Sequence, residues 1–381
     1  MPLLHQLSEK EEALNMEIKK IRYGIHTVEF YARNLKYDKM QQIIDALEDA
    51  DDEIFQEQKT VCINNDFYAT DNFYHSKYLE QYGIIMDLNQ TISKPSGIRL
   101  AINPGTYLTR KYNPLTLYRP TSNATTLKRI LYAIRKRLST LCNSKKIKKK
   151  KFSLSRIDLT CDLLFDPDVD LTEIIRLFRK SYRPRYFKED YSSLKGQKID
   201  KNYCFRIHSK HISITAYDKS YDMIRKGYRK KNSKYNQVLR IEISLDHEGY
   251  KRKLGAKQIK ELSYDEILFQ AYTELPDILQ SYMKKIFPCS GKILPYEKAK
   301  AIIEREITDD TEQEQMLYLL KKASSDACLN VAAEKCMNRF GVSKKVIRRL
   351  YKDFDKLDLN VLTFKKDSKI KSLNSLRDLP L

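Results

Sequence analysis

The seven cysteines (Cys62, Cys142, Cys161, Cys204, Cys289, Cys328, Cys336) form an odd set with no C-x-x-C pair. That pattern excludes a disulfide framework and a zinc-ribbon spacing, and it fits reduced thiols in a cytoplasm. No apolar run approaches the length of a membrane span, and the first ten residues carry no charged stretch followed by an apolar one, so a secretory signal is not expected. There is no Gly-x-x-x-x-Gly-Lys-Ser/Thr loop, which excludes a fused P-loop ATPase, and no Gly-x-Ser-x-Gly elbow. Tryptophan is absent, and no internal repeat is visible. Acidic residues are in short supply as well: 50 Asp+Glu stand against 71 Lys+Arg.

The resulting formal charge of +21 calls for a polyanion. A phosphate backbone answers it, because each neutralised phosphate releases condensed counterions. The charge is concentrated in places. Lys145, Lys146, Lys148, Lys149, Lys150 and Lys151 form a run that reads either as a solvated linker or as a phosphate contact. With 41% hydrophobic residues the chain has material for sizeable cores, and its 26 tyrosines supply flat rings with a polar tip.

Along the chain, residues 8–22 read as a charged helix, Tyr23 to Tyr31 as a strand and Lys36 to Ala50 as a helix. Gly97 to Asn103 alternates as a strand until Pro104-Gly105, and Leu127 to Leu141 forms a basic amphipathic helix. Three later segments, Phe152 to Phe165, His211 to Lys219 and Val238 to Leu245, alternate strictly with period two, the mark of half-buried strands. An amphipathic helix over Val169 to Lys180 separates the first two. Beyond Leu254 the pattern is helical: 256–262, 264–283, 295–307 and 312–322. Strands and helices mix without a βαβ rhythm. The expectation is an α+β fold, a largely antiparallel sheet with flanking helices and a helical C-terminal region. The implied divisions are 1–95, a core over 96–255, and 256–381.

The polar faces of the three alternating strands carry Asp158 and Asp162, Tyr217, and Glu242. In one sheet these side chains converge on its open face. Carboxylates so gathered repel one another unless a cation sits among them, and oxygen ligands suit Mg²⁺ or Mn²⁺. A divalent ion polarises a phosphodiester, and a tyrosine oxygen can attack phosphorus to form a phosphotyrosine. Arg156, Lys219 and Arg240 supply neighbouring cations for phosphate oxygens or for lowering the phenol pKa. The alternative is a set of acidic residues paired with adjacent arginines.

The order Ser155-Arg-Ile-Asp158, Ile214-Thr-Ala-Tyr-Asp-Lys219 and Leu239-Arg-Ile-Glu242 resembles the rolling-circle replication initiators of filamentous phages, the gene II protein type. It is also similar to the initiators of small Gram-positive plasmids. The segment Ile98 to Leu108, followed by a basic helix, resembles what precedes this core in the phage proteins. The likeness runs from about residue 97 to 255, weakly onward to Tyr351, and leaves the first 90 residues uncovered. It implies Tyr217 as nucleophile, Asp158 and Glu242 as metal ligands, and Lys219 as a phosphate-side helper. Tyr203 and Tyr221 are substitutes for the nucleophile, because plasmid initiators place their tyrosine differently around this hairpin. His208-Ser-Lys-His211 departs from the His-hydrophobic-His metal motif of the best-known nicking enzymes.

Nearer the C-terminus, Ala332 to Leu350 reads as a helix, a turn at Gly341 and a basic helix. It is either a helix-turn-helix, with Lys344, Lys345, Arg348 and Arg349 meeting phosphates or base edges, or a plain helical hairpin with a solvated face. The expected activity is metal-dependent nicking and joining of origin DNA through a 5′-phosphotyrosine, with single- and double-stranded DNA, a host helicase and a polymerase as partners and no membrane. A mobile-element relaxase shares that chemistry. A non-catalytic repressor or origin-binding protein is the reading from another class.

Overall fold

The computed structural model describes residues 14–49, 54–64, 67–76, 79–90, 96–109, 113–143, 151–190, 200–230, 235–255, 261–366, 368 and 370–379. The fold is α+β. In the first half, strand β2 (Lys20–Leu35) is followed by the helix Tyr37–Glu48 and by β3 (Ile54–Asn64), β4 (Phe67–Ser76), β5 (Ile84–Gln90) and β6 (Ser96–Ile102). The second half repeats that plan. β7 (Ser153–Phe165) leads into the helix Leu171–Lys180 and then β8 (Lys188–Glu189), β9 (Cys204–His208), β10 (Ile212–Asp218) and β11 (Gln237–Asp246).

These ten strands join one antiparallel sheet in the order β3-β4-β5-β6-β2-β7-β11-β10-β9-β8. Outward from the β2–β7 contact the two halves run alike: long strand, last strand, then the remaining strands in reverse. This is a pseudo-two-fold duplication of topology in a sequence without a visible repeat. Strands from both sides of residue 95 share this sheet, with β6 paired to β5 and to β2. A short parallel pair, β1 (Leu14–Met16) with β12 (Ile370–Leu373), stands apart.

One face of the sheet is covered by helices. The alternating residues Ile157, Leu159, Cys161 and Leu163 of β7 and Leu239, Ile241 and Ile243 of β11 are buried there. Helix Tyr264–Thr273 lies across β2 and β7, helix His247–Leu254 against β7 and β11, and helix Leu171–Lys180 under β9 and β10, where Phe178 meets Phe205. Each full burial of such a side chain contributes about 1.5–3 kcal/mol. The other face keeps the polar residues of the same strands.

Two helix expectations change. Residues 14–22 lie partly in β1 and β2 rather than in a charged helix, because Arg22 faces Asp162 across the β2–β7 pairing; residues 8–13 lie outside the described residues. The helix expected over 264–283 is two helices, Tyr264–Thr273 and Leu275–Ile286, since Pro276 cannot continue an i→i−4 ladder and sits in the first turn of the second. The basic helix is Thr126–Leu141, and its first amides, Leu127 N and Lys128 N, donate to the distant Asp265 carboxylate at 2.8 and 3.0 Å. Among the described residues no helix is long and apolar enough to cross a membrane.

Candidate active site on the open sheet face

Register decides which polar side chains meet. Tyr217 pairs with Arg240 and Arg240 with Asp162, so these three form one row across β10, β11 and β7. Thr215, Glu242 and Thr160 form the next row, and Ser244 with Asp158 the one after. Period-two alternation puts all of them on the face away from the helices. Asp158, Tyr217 and Glu242 thus share one face, as their spacing in the sequence leads one to expect.

The tightest contact joins the phenol to a carboxylate: Tyr217 Oη donates to Glu242 Oε1 at 3.0 Å. Burial, then the Glu242 charge, pushes the Tyr217 phenol well above its ordinary pKa, while Arg240 pulls the other way. Glu242 is itself pushed up, first by burial and then by the charge of Asp158, with Arg240 and Lys219 opposing. A phenol held in its neutral form needs an acceptor for its proton, and a carboxylate of raised pKa is a better acceptor. The two shifts are complementary.

Asp162 and Arg240 correct the sequence reading. The sequence assigns Asp162 to a metal and Arg240 to DNA, but both are fully buried and are spent on each other. Arg240 Nε donates to Asp162 Oδ1 at 2.6 Å and Nη2 to Oδ2 at 2.9 Å, and Arg22 Nη2 reaches Oδ2 at 3.3 Å. A carboxylate clasped by two guanidiniums has little left for an ion, and a guanidinium with no exposed surface does not touch a duplex. The pair instead holds the Arg240 guanidinium in the row beside Tyr217.

Arg156 and Asp158 form a looser arrangement. Arg156 Nη2 donates to Asp158 Oδ2 at 2.9 Å and Nη1 lies 2.8 Å from Glu29 Oε1. Arg156 Nε stands 2.9 Å from Asp158 Oδ1 without hydrogen-bond alignment, so this buried oxygen has no donor. The network continues across the first half of the sheet, from Glu29 to Arg99, from Arg99 to Asp87, and from Asp87 to His75 at 2.8 Å. Lys219 is buried as well: its Nζ donates to Asp222 Oδ2 at 2.8 Å and lies 5.8 Å from the Tyr217 ring centroid. Burial, followed by the Arg240 charge, lowers its pKa.

His26 is the residue that sequence reasoning misses. The β2–β7 register slips between Ile25 and Thr27, which leaves His26 as the extra residue of a bulge. Bulges re-aim a side chain, and this one brings His26 Nδ1 to 3.0 Å from Thr27 Oγ1 and 3.4 Å from Glu242 Oε1. Burial, then Arg240 and Lys219, hold the imidazole well below its ordinary pKa, so it is neutral. The signal is present in the sequence: Ile25-His-Thr-Val28 spaces two buried apolar residues by three, which breaks period two.

The donor types around Asp158 fit a hard divalent cation. Asp158 offers an oxygen without a donor, Glu242 repels it, and His26 is a neutral imidazole. As the side chains stand, no group of three His, Cys, Asp or Glu among the described residues is arranged to hold an ion. Tyr203 and Tyr221 are stacked on each other, with ring centroids 3.6 Å apart and planes 2° from parallel. Of the three candidate tyrosines, Tyr217 is the one hydrogen-bonded to a carboxylate of this face. His211 is held by Asp246 at 2.9 Å, and His208 stands on β9 opposite Ser213. Lys145, Lys146, Lys148, Lys149 and Lys150 lie outside the described residues, while Lys151 is exposed. Lys344, Lys345, Arg348 and Arg349 are exposed on a helix of the C-terminal region. No family model matches this sequence, and no curated protein matches it.

Proposed function

We propose that the chain nicks and rejoins DNA through a transient 5′-phosphotyrosine on Tyr217, the initiating step of rolling-circle replication of a phage or plasmid. The observation that carries this reading is the 3.0 Å hydrogen bond from Tyr217 to Glu242 on the polar face of the sheet, with Arg240 in the strand beside it. In the reaction Tyr217 Oη forms a bond to phosphorus and gives its proton to Glu242. The P–O3′ bond breaks, and the released oxygen takes up a proton from water to become a 3′-hydroxyl. Rejoining is the reverse: a 3′-hydroxyl loses its proton to water as it attacks the phosphotyrosine, the bond from phosphorus to Tyr217 Oη breaks, and Glu242 returns a proton to the phenol. Transfer of the phenol proton in the transition state supplies about 10²–10⁴ in rate.

Arg240 and Lys219 contribute fixed positive charge next to the phenol, which favours its ionisation as it attacks. Mg²⁺ or Mn²⁺ would be held by Asp158 with His26 nearby, leaving Glu242 to take the phenol proton, and when bound it supplies positive charge to the phosphate oxygens. The chain has no P-loop, so unwinding falls to a host helicase, and the 3′-hydroxyl serves a polymerase.

The test uses purified chain and a supercoiled plasmid carrying the DNA around its own reading frame, because an initiator commonly sits beside or within its origin. Wild-type protein should relax the plasmid and become covalently attached to it, and Tyr217→Phe should do neither. A Tyr217→Phe protein that still nicks and attaches removes Tyr217 from the reaction. A wild-type protein that binds the plasmid without ever cutting it leaves the non-catalytic binding reading in its place.

A further inference from the structure

We propose that helix Lys344–Lys356 is the recognition helix of a helix-turn-helix and lies in the major groove of duplex DNA. The C-terminal region contains three packed helices, Asp310–Ser325, Leu329–Phe340 and Lys344–Lys356. The turn between the last two is three residues long and opens on Gly341, whose φ of 63° is the left-handed conformation that glycine adopts at no steric cost. Val342 N closes it by donating to Met337 O at 3.1 Å. Ile347, Leu350 and Phe354 bury the inner side of the final helix.

The outer side carries Lys344, Lys345, Arg348, Arg349 and Lys352, all exposed. Of these five, Arg349 comes near an acid of the same helix, its Nε 3.9 Å from Asp353 Oδ2. Asp353 is buried and held by Lys356 at 2.6 Å, and Asp355 is turned toward Ser290 N at 2.6 Å and Arg377 at 3.3 Å. Lys344 with Arg348 and Lys345 with Arg349 are like charges four residues apart, each pair costing an isolated helix about 0.2–0.5 kcal/mol. A polyanion along this face turns that cost into attraction.

The same face says which polyanion. It presents no exposed aromatic ring, so it lacks the stacking platforms that single strands use; Tyr351 is turned inward with its hydroxyl buried. It presents no large apolar group for a lipid surface. An α-helix about 10–12 Å across matches the ~12 Å major groove of B-DNA, whereas the major groove of duplex RNA is too deep and narrow to admit it.

The bundle is anchored to the sheet that carries Tyr217. Lys180 Nζ, at the end of the helix under β9 and β10, donates to Ser324 O at 3.1 Å and to Asp326 O. Arg183 N donates to Asn330 Oδ1 at 2.6 Å, and Asn330 Nδ2 returns a bond to Arg183 O at 3.0 Å. If Tyr217 acts on DNA as proposed, a duplex held by the final helix is presented to it in a fixed frame; the duplex-binding inference itself does not depend on Tyr217.

The experiment compares full-length wild type with the fourfold variant Lys344→Gln, Lys345→Gln, Arg348→Gln, Arg349→Gln. Fluorescence anisotropy follows binding of a mixed-sequence DNA duplex of about two helical turns over roughly 50–200 mM salt. The variant should bind more weakly, and its slope of log K against log salt should shrink by about 3.6, or 0.9 for each lost phosphate contact. Its circular dichroism should be unchanged, because the four side chains are exposed. Covalent capture of a single-stranded oligonucleotide is scored separately on both proteins, so that loss of duplex binding is told apart from loss of the reaction proposed at Tyr217. Unchanged duplex affinity and slope in the fourfold variant overturn the inference, as does equal competition by an RNA duplex of the same sequence.

Discussion

Replacing Glu242 by Gln keeps the shape of the side chain and an oxygen that can accept from Tyr217, and it removes one negative charge. Two consequences of opposite sign follow. A glutamine does not take the phenol proton, so the rate of covalent attachment should fall by about 10²–10⁴. That range corresponds to about 3–5 kcal/mol of lost transition-state stabilisation.

Stability should move the other way. The Glu242 carboxyl is pushed up by burial and by Asp158, so its ionised form is less favourable in the folded chain than in the unfolded one. For such an acid the native state binds the extra proton, and stability falls as pH rises from the unfolded pKa of about 4.3 through the raised folded value. The glutamine variant escapes that loss. Its melting temperature should equal that of wild type near pH 4 and exceed it at neutral pH and above.

The assay is single-turnover attachment of a labelled oligonucleotide at saturating divalent ion between about pH 5 and 9, alongside thermal melts between about pH 4 and 9. A base that is lost removes the pH dependence of attachment, whereas a ligand that is lost raises the ion concentration needed for half-saturation. A Gln variant that attaches DNA at the wild-type rate refutes Glu242 as proton acceptor. A variant that melts lower than wild type at neutral pH refutes the electrostatic account of the cluster.

Asp162→Ala should destabilise the fold by about 3–5 kcal/mol in urea titrations, because it strands the fully buried Arg240 without its carboxylate; a loss below about 1 kcal/mol counts against the clasp. Asp218, which caps helix Lys219–Arg225 by accepting from Tyr221 N at 2.8 Å, is pushed up to about 6 by burial. Stability linked to it is therefore highest below about pH 4 and declines as pH rises through 6. Asp218→Asn keeps the cap and should flatten that decline in melts from pH 4 to 8. Gly291→Ala places a Cβ 2.3 Å from Leu359 N, a backbone atom with nowhere to go, so a loss of about 1–3 kcal/mol or more is expected in the same titrations.

Alternation made the polar face legible. Asp158, Asp162, Tyr217, Arg240 and Glu242 fall on one parity of their strands, and one parity is one face. What the sequence withholds is pairing between strands. Arg240 lies beside Asp162 only because β11 and β7 pair in one particular register, and a shift of one residue would separate them. The same ignorance hid the place of residues 20–102 in the sheet, since β2 meets β7 across more than a hundred residues of chain. His26 was hidden by a bulge, a local departure from the period that reveals everything else. The stretch up to Arg22 misled for another reason: Glu17, Lys19, Lys20 and Arg22 suit a solvated helix, but tertiary pairing of Arg22 with Asp162 and Lys19 with Asp166 overrides that preference.

Mapping the covalent link tests the central claim most directly. After wild-type protein has reacted with a nicking substrate, nuclease trimming and proteolysis leave a peptide bearing a nucleotide, whose modified residue mass spectrometry identifies. The account predicts a 5′-phosphate on Tyr217. A nucleotide on Tyr203 or Tyr221, or a nicked product with no peptide attached, contradicts it.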